Sequence, residues 1–88
     1  MHAVLTSVEI HDQEDGRRRL HDEVVPRVSK APGFVAGYWI QVAETQGRAV
    51  IVMESEEAAN AAAEAIRSQT GGPATLVDMQ VGEVVANA

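Results

Sequence analysis

Phe34-Val35-Ala36-Gly37-Tyr38-Trp39-Ile40-Gln41-Val42-Ala43, followed by Thr45-Gln46-Gly47 and then Ala49-Val50-Ile51-Val52-Met53, is the stretch that decides the fold. The first run is rich in β-branched and aromatic residues, and it predicts a strand over 34–43. A two-residue period puts Phe34, Ala36, Tyr38, Ile40 and Val42 on one side and Val35, Gly37, Trp39 and Gln41 on the other. Thr45-Gln46-Gly47 predicts a tight hairpin turn, and residues 49–53 predict a strand that is apolar on both sides. An antiparallel sheet with one wet face alternates cleanly. This hairpin does not, so something must cover each of its faces.

Working outward, Ser55-Glu56-Glu57 opens a helix, with Ser55 as N-cap and two glutamates at the positive end of the helix dipole. The helix is expected to run to Gln69, with Ala59, Ala62, Ala63 and Ile66 on a narrow inner stripe. Thr70-Gly71-Gly72-Pro73 breaks it, and Thr75 to Val85 predicts a long last strand. Upstream, Leu20, Val24, Val25 and Val28 form one stripe of a helix over 17–29, N-capped by Asp15 and ended by Ala31-Pro32-Gly33. Pro26 cannot donate to the carbonyl four residues back, so a kink or split is expected near Asp22. Ala3 to Ile10 predicts the first strand, and His11 to Gly16 a polar turn.

The order strand, helix, strand, strand, helix, strand is the split β-α-β arrangement. It predicts an α+β, ferredoxin-like domain over residues 1–88: a four-stranded antiparallel sheet with both helices on one face. The other face is then bare. Burial against a second copy of the chain is the simplest cure, giving a homodimer with an interface of roughly 2,000 Å² or more. A chain this short buries only roughly 60–65% of its unfolded surface, which also favours pairing.

Pro32-Gly33-Phe34-Val35-Ala36-Gly37-Tyr38-Trp39, Gly47-Arg48, and Val52-Met53-Glu54-Ser55-Glu56-Glu57-Ala58-Ala59 resemble the dimeric α+β-barrel superfamily, the group of antibiotic-biosynthesis-monooxygenase-like proteins. The likeness covers almost the whole chain and is greatest to small members found in actinobacteria. It implies a dimeric barrel. That superfamily includes cofactor-independent oxygenases and haem-degrading enzymes. Many oxygenase-type members carry a Trp before the Glu-Ser pair and a His on the following helix; aligned on Glu54-Ser55, those positions are Met53 and Ala62 here.

Composition narrows the partners. The net charge of −6 argues against a nucleic acid, whose phosphates need clustered Lys and Arg. With one Trp, one Tyr and one Phe, a base-stacking platform is not expected. The chain has no Cys, which removes disulfides, thiolate metal sites and a Cys nucleophile, and fits a cytoplasmic location. No apolar run approaches the roughly 20 residues of a membrane span, and Met1-His2-Ala3-Val4 does not open a secretion signal. His2, His11 and His21 share no metal-ligand spacing, so neither a metal nor a cofactor is expected.

The candidate catalytic residues are His21, Tyr38, Trp39 and Asp78. Trp39 could stack on a flat ligand or simply fill core or interface. Tyr38 points the other way, toward a substrate oxygen or toward water. His21 flanks the apolar stripe of the first helix, as a base, a haem ligand or a surface residue. Asp78 and Gln80 share a face of the last strand with Leu76 and Gly82, either as buried polar groups of functional interest or on a wet rim. Glu54 admits the same two readings. Arg17-Arg18-Arg19 fan over an arc of about 200° and cannot all meet one anion, so pairing with Asp12, Glu14 and Asp22 is expected. An apolar cleft between helices and sheet is expected to be lined by Leu20, Val24, Val28, Trp39 and Ile66.

Three functional readings follow. The first is a small-molecule-binding protein that takes an apolar or aromatic ligand in that cleft. The second is a cofactor-independent monooxygenase acting on an electron-rich aromatic, which the chain need only position and deprotonate. The third is haem binding with His21 as axial ligand.

Overall fold

The computed structural model describes residues 1–68 and 74–88. Its elements are β1 (His2–Ile10), α1 (Gln13–Arg19), a π-helical turn (Leu20–Val24), α2 (Val25–Ser29), β2 (Phe34–Ala43), β3 (Gln46–Met53), α3 (Glu56–Ser68) and β4 (Ala74–Glu83). The strands form one four-stranded sheet in the order β2-β3-β1-β4, every neighbouring pair antiparallel. This is the expected ferredoxin-like α+β fold. The expected end of the second helix at Gln69 and its break at 70–73 lie outside the described residues.

α3 begins as its sequence dictates: the Ser55 hydroxyl accepts from the Ala58 amide at 3.1 Å. Its small side chains let the helix approach closely, and Ala59 and Ala63 join Val4, Ile51 and Met53 as the buried core. Ala62 and Ile66 pack at the margin of that core.

The first helical arm departs from expectation in two places. Asp12, not Asp15, is the N-cap, because Asp12 is the residue with extended backbone and its Oδ1 accepts from the Asp15 amide at 3.0 Å. Asp15 lies inside the helix and pairs instead with Arg18 and, at 3.5 Å, with Arg19. Arg17 turns away and donates to Gln41 Oε1 at 2.6 Å, so the triplet does not pair with Asp12, Glu14 or Asp22. Pro26 acts where expected. Without an amide proton it leaves the Asp22 carbonyl unmatched, and its ring crowds that carbonyl. The preceding turn widens to accommodate it: the Val25 amide donates five residues back, to Leu20, and α2 restarts with the proline in its first turn.

The strands also carry surprises. The hairpin turn is Glu44-Thr45, and Gln46 and Gly47 are already paired in β3, three residues before its expected start. Gly47 is needed for space rather than for the turn, since a Cβ there would stand 3.1 Å from Val8 Cγ2. The β2–β3 register shifts between Phe34 and Ala36 and again between Gln41 and Ala43. Each shift leaves one extra residue, Val35 and Val42, and each reverses the side-chain alternation. Phe34 therefore faces the helices, not the side of Ala36, Tyr38 and Ile40. A third shift between Ser7 and Val8 leaves Val77 extra, so Leu76 does not share a face with Asp78. β4 ends at Glu83, short of the expected Val85.

Candidate functional site

The ladders place each side chain in a row across the sheet. On the helix-covered face one row reads Trp39–Ala49–Thr6–Met79, with Gly37–Ile51–Val4–Val81 beside it. The Trp39 ring lies over Gly37: a Cβ on that glycine would stand 2.8 Å from Cη2 and 2.9 Å from Cζ3. Phe34 Cε2 would be 3.4 Å away on the same side. Glycine at 37 is what makes room for the indole.

Two sets of contacts hold the first helical arm over this face. At one end Arg17 bonds Gln41, and the Gln13 side-chain amide donates to the Glu44 carbonyl, tying α1 to the hairpin end of β2. At the other, Val28 packs against the core together with Ala31 and Phe34. Between these ties runs the π turn. No residue of α1, the π turn or α2 is fully buried, and Leu20 and Val24 lie outside the group packed on the core. An apolar stripe that stays half-exposed, on an arm anchored to the strand that carries half-buried Trp39, is the main feature of this side of the fold.

Of the expected lining residues, Val28, Trp39 and Ile66 pack at the edge of the core, while Leu20 and Val24 are half-buried without joining it. The four catalytic candidates do not come together. Trp39 is on the helix-covered face, and Tyr38, 61% exposed, is on the other with Asp78 and Gln80. His21 is exposed on the π turn. Asp78, Gln80 and Glu54 are all exposed in the single chain, Asp78 and Gln80 on the face away from the helices. The Glu54 amide donates to the Gly33 carbonyl at 2.8 Å, so this residue closes the junction ahead of α3. Met53 is a core residue, and Ala62 packs at the margin of that core.

Sequence reasoning passed over Thr6. It is buried, in the same row as Trp39, and is the one hydroxyl in the set Val4, Thr6, Val8, Ile10 that points to the helices. The interruption of that apolar alternation was the available signal. His2, weighed from the sequence only as a metal ligand, has Nε2 3.3 Å from Glu56 Oε2 while its buried Nδ1 has no partner among the described residues. These two line a polar depression of about 510 Å³ with Asn60 and Glu83. Among the described residues no group of three His, Asp or Glu could hold a metal ion.

The face away from the helices is also a grid: Ala36–Val52–Ala3–Gly82, then Tyr38–Val50–Leu5–Gln80, then Ile40–Arg48–Ser7–Asp78. Its first two rows are largely apolar, and no helix among the described residues covers them; Leu5, Tyr38 and Ile40 are exposed.

This geometry is shared with solved structures. SnoaB, a cofactor-independent oxygenase from Streptomyces nogalater, matches as a mutant over 98% of this chain and 94% of its own, with a TM-score of 0.69 and 12% identity. HapK from Hahella chejuensis matches over 100% and 96%, with a TM-score of 0.68 and 15% identity. The heme-degrader MhuD from Mycobacterium tuberculosis, with two hemes bound in its active site, matches over 100% and 99%, with a TM-score of 0.61 and 22% identity. The chain thus shares its ferredoxin-like α+β fold with these proteins. No protein-family model and no curated protein matches it.

Proposed function

We propose that this chain is a small-molecule-binding protein of the dimeric α+β-barrel type, taking a flat apolar or aromatic ligand between its first helical arm and the sheet. One observation carries the reading: the stripe Leu20, Val24 stays half-exposed on an arm tied to β2 on either side of Trp39, although α3 packs tightly on the same sheet. Elements built to complete a core bury their stripe; a stripe held open on the face that carries the one indole suits a ligand. The π turn supports it, since such turns concentrate at functional sites. Thr6, in the floor row, offers a hydroxyl to orient a polar group of the ligand.

The open face of the sheet supports self-association, its apolar rows calling for a cover of the same chemistry. No helix of the described residues is long and apolar enough to cross a membrane. With no cysteine in the chain, we place it in the cytosol.

Cofactor-independent oxygenation of an aromatic substrate is the second reading. It is favoured by the fold shared with SnoaB and by the aromatic floor. No base stands beside Trp39 in its row, so binding ranks ahead of turnover. Haem with His21 as axial ligand ranks third, because His21 is exposed on the π turn.

Trp39 is the sole tryptophan, so its fluorescence reports the floor directly. Titration with polycyclic phenols and with haemin is expected to give saturable quenching, absent in Trp39→Phe and weakened in Leu20→Asp. A flat response across the panel, with an unchanged melting temperature, refutes the binding reading. Oxygen uptake on mixing with a quenching phenol separates turnover from binding, and a Soret shift lost in His21→Ala identifies haem ligation.

A further inference from the structure

The open face has one row that does not belong to an apolar interface. Ile40–Arg48–Ser7–Asp78 puts a cation on β3 and an anion on β4, two strands apart in the same row. Strand spacing sets their Cα atoms roughly 10 Å apart, with β1 between them. Arg48 donates only to the neighbouring Gly47 carbonyl, at 3.2 Å, and forms no ion pair among the described residues. Arg48, Asp78 and Glu9 instead line one depression of about 360 Å³ at the end of this face. A cation standing unpaired beside apolar rows opposes burial unless the covering surface brings a carboxylate.

We propose that the covering surface is a second copy of this chain, and that Arg48 pairs with Asp78 of that copy to select its orientation. This rests on the self-association proposed above. A two-fold axis lying between facing sheets has two simple directions. An axis running along the strands, over the β3–β1 centre of the sheet, turns each row end for end. β3 then faces β1 of the second copy, and β2 faces β4. Val50 meets Leu5, Tyr38 meets Gln80, and Arg48 meets the half of the row that ends in Asp78, with Glu9 one row beyond. Symmetry makes the contact twice. An axis running across the strands sets β3 on β3. Arg48 then meets either itself or Val50, with no carboxylate opposite. The row is self-complementary in one orientation and repulsive or unpaired in the other, which is how charge fixes register at an apolar interface.

The test is a charge-swap cycle read by sedimentation at a series of protein concentrations. Arg48→Asp and Asp78→Arg are each expected to weaken the dimer at least about tenfold, and the double variant R48D/D78R to restore it to within a few-fold. Arg48→Gln and Asp78→Asn repeat the single arms should a reversal impair folding, with circular dichroism as the check. A wild-type chain that stays monomeric overturns both self-association and this inference. A dimer that both single reversals leave unchanged, that the double swap fails to rescue, or that Arg48→Gln tightens, overturns the pairing alone and leaves the dimer standing.

Discussion

Replacing Gly33 by alanine isolates one junction of the fold. Gly33 has φ +84°, the left-handed region, and a Cβ there would stand 2.8 Å from Ala58 Cβ and 3.1 Å from Glu54 Cγ. Two costs follow. Holding an alanine in the left-handed region costs about 1–2 kcal/mol. Forcing its methyl against helix α3 costs about 1–3 kcal/mol, because Ala58 packs at the margin of the core and cannot swing aside. Their sum, about 2–5 kcal/mol, is a large share of the roughly 4–13 kcal/mol expected for a chain of this size. The two terms separate in a double-mutant cycle. Ala58→Gly alone should cost about 1 kcal/mol of helix propensity. In that background Gly33→Ala loses its steric partner and should cost only the backbone term, a coupling of about 1–3 kcal/mol. Urea unfolding at one fixed protein concentration reads all four corners. A Gly33→Ala midpoint within about 0.5 kcal/mol of wild type, or four corners that simply add, refutes the reasoning.

Three further outcomes are expected. Asp12→Ala should cost about 1 kcal/mol by removing the cap of α1 and lower the melting temperature by several degrees, more than Asp15→Ala does; equal effects would mean that Asp12 is not the cap. Ile51→Ala should cost about 2–5 kcal/mol, since Ile51 sits in the core under α3, whereas Val85→Ala, at an exposed terminal residue, should stay within about 0.5 kcal/mol in the same urea titration. Gly37→Ala should lift the indole of Trp39 off the sheet, shifting its emission to the red and weakening any quenching ligand; an unchanged spectrum would mean that the ring does not rest on Gly37.

The sequence by itself determined the element order and hence the fold, because the signals involved are local. Strand runs, the Ser55 cap, the alanine stripe of α3 and the disturbance at Pro26 each depend on residues within a few positions of one another. It also marked the sheet as apolar on both faces, since the alternation of β3 fails within five residues. What the tertiary structure decided was sidedness. Three register shifts, at Val35, Val42 and Val77, arise from pairing between strands far apart in sequence, and each moves the residues beyond it to the other face. Only that pairing puts Phe34 with Trp39, strands Asp78 on the far side from Trp39, and brings Thr6 into the floor row. The same holds for the charges: Asp12, Glu14 and Asp22 were the near neighbours of the arginine triplet, yet Arg17 found Gln41 across the fold. A cation's partner, like a side chain's face, is set by which strands meet, and no window of local sequence contains that information.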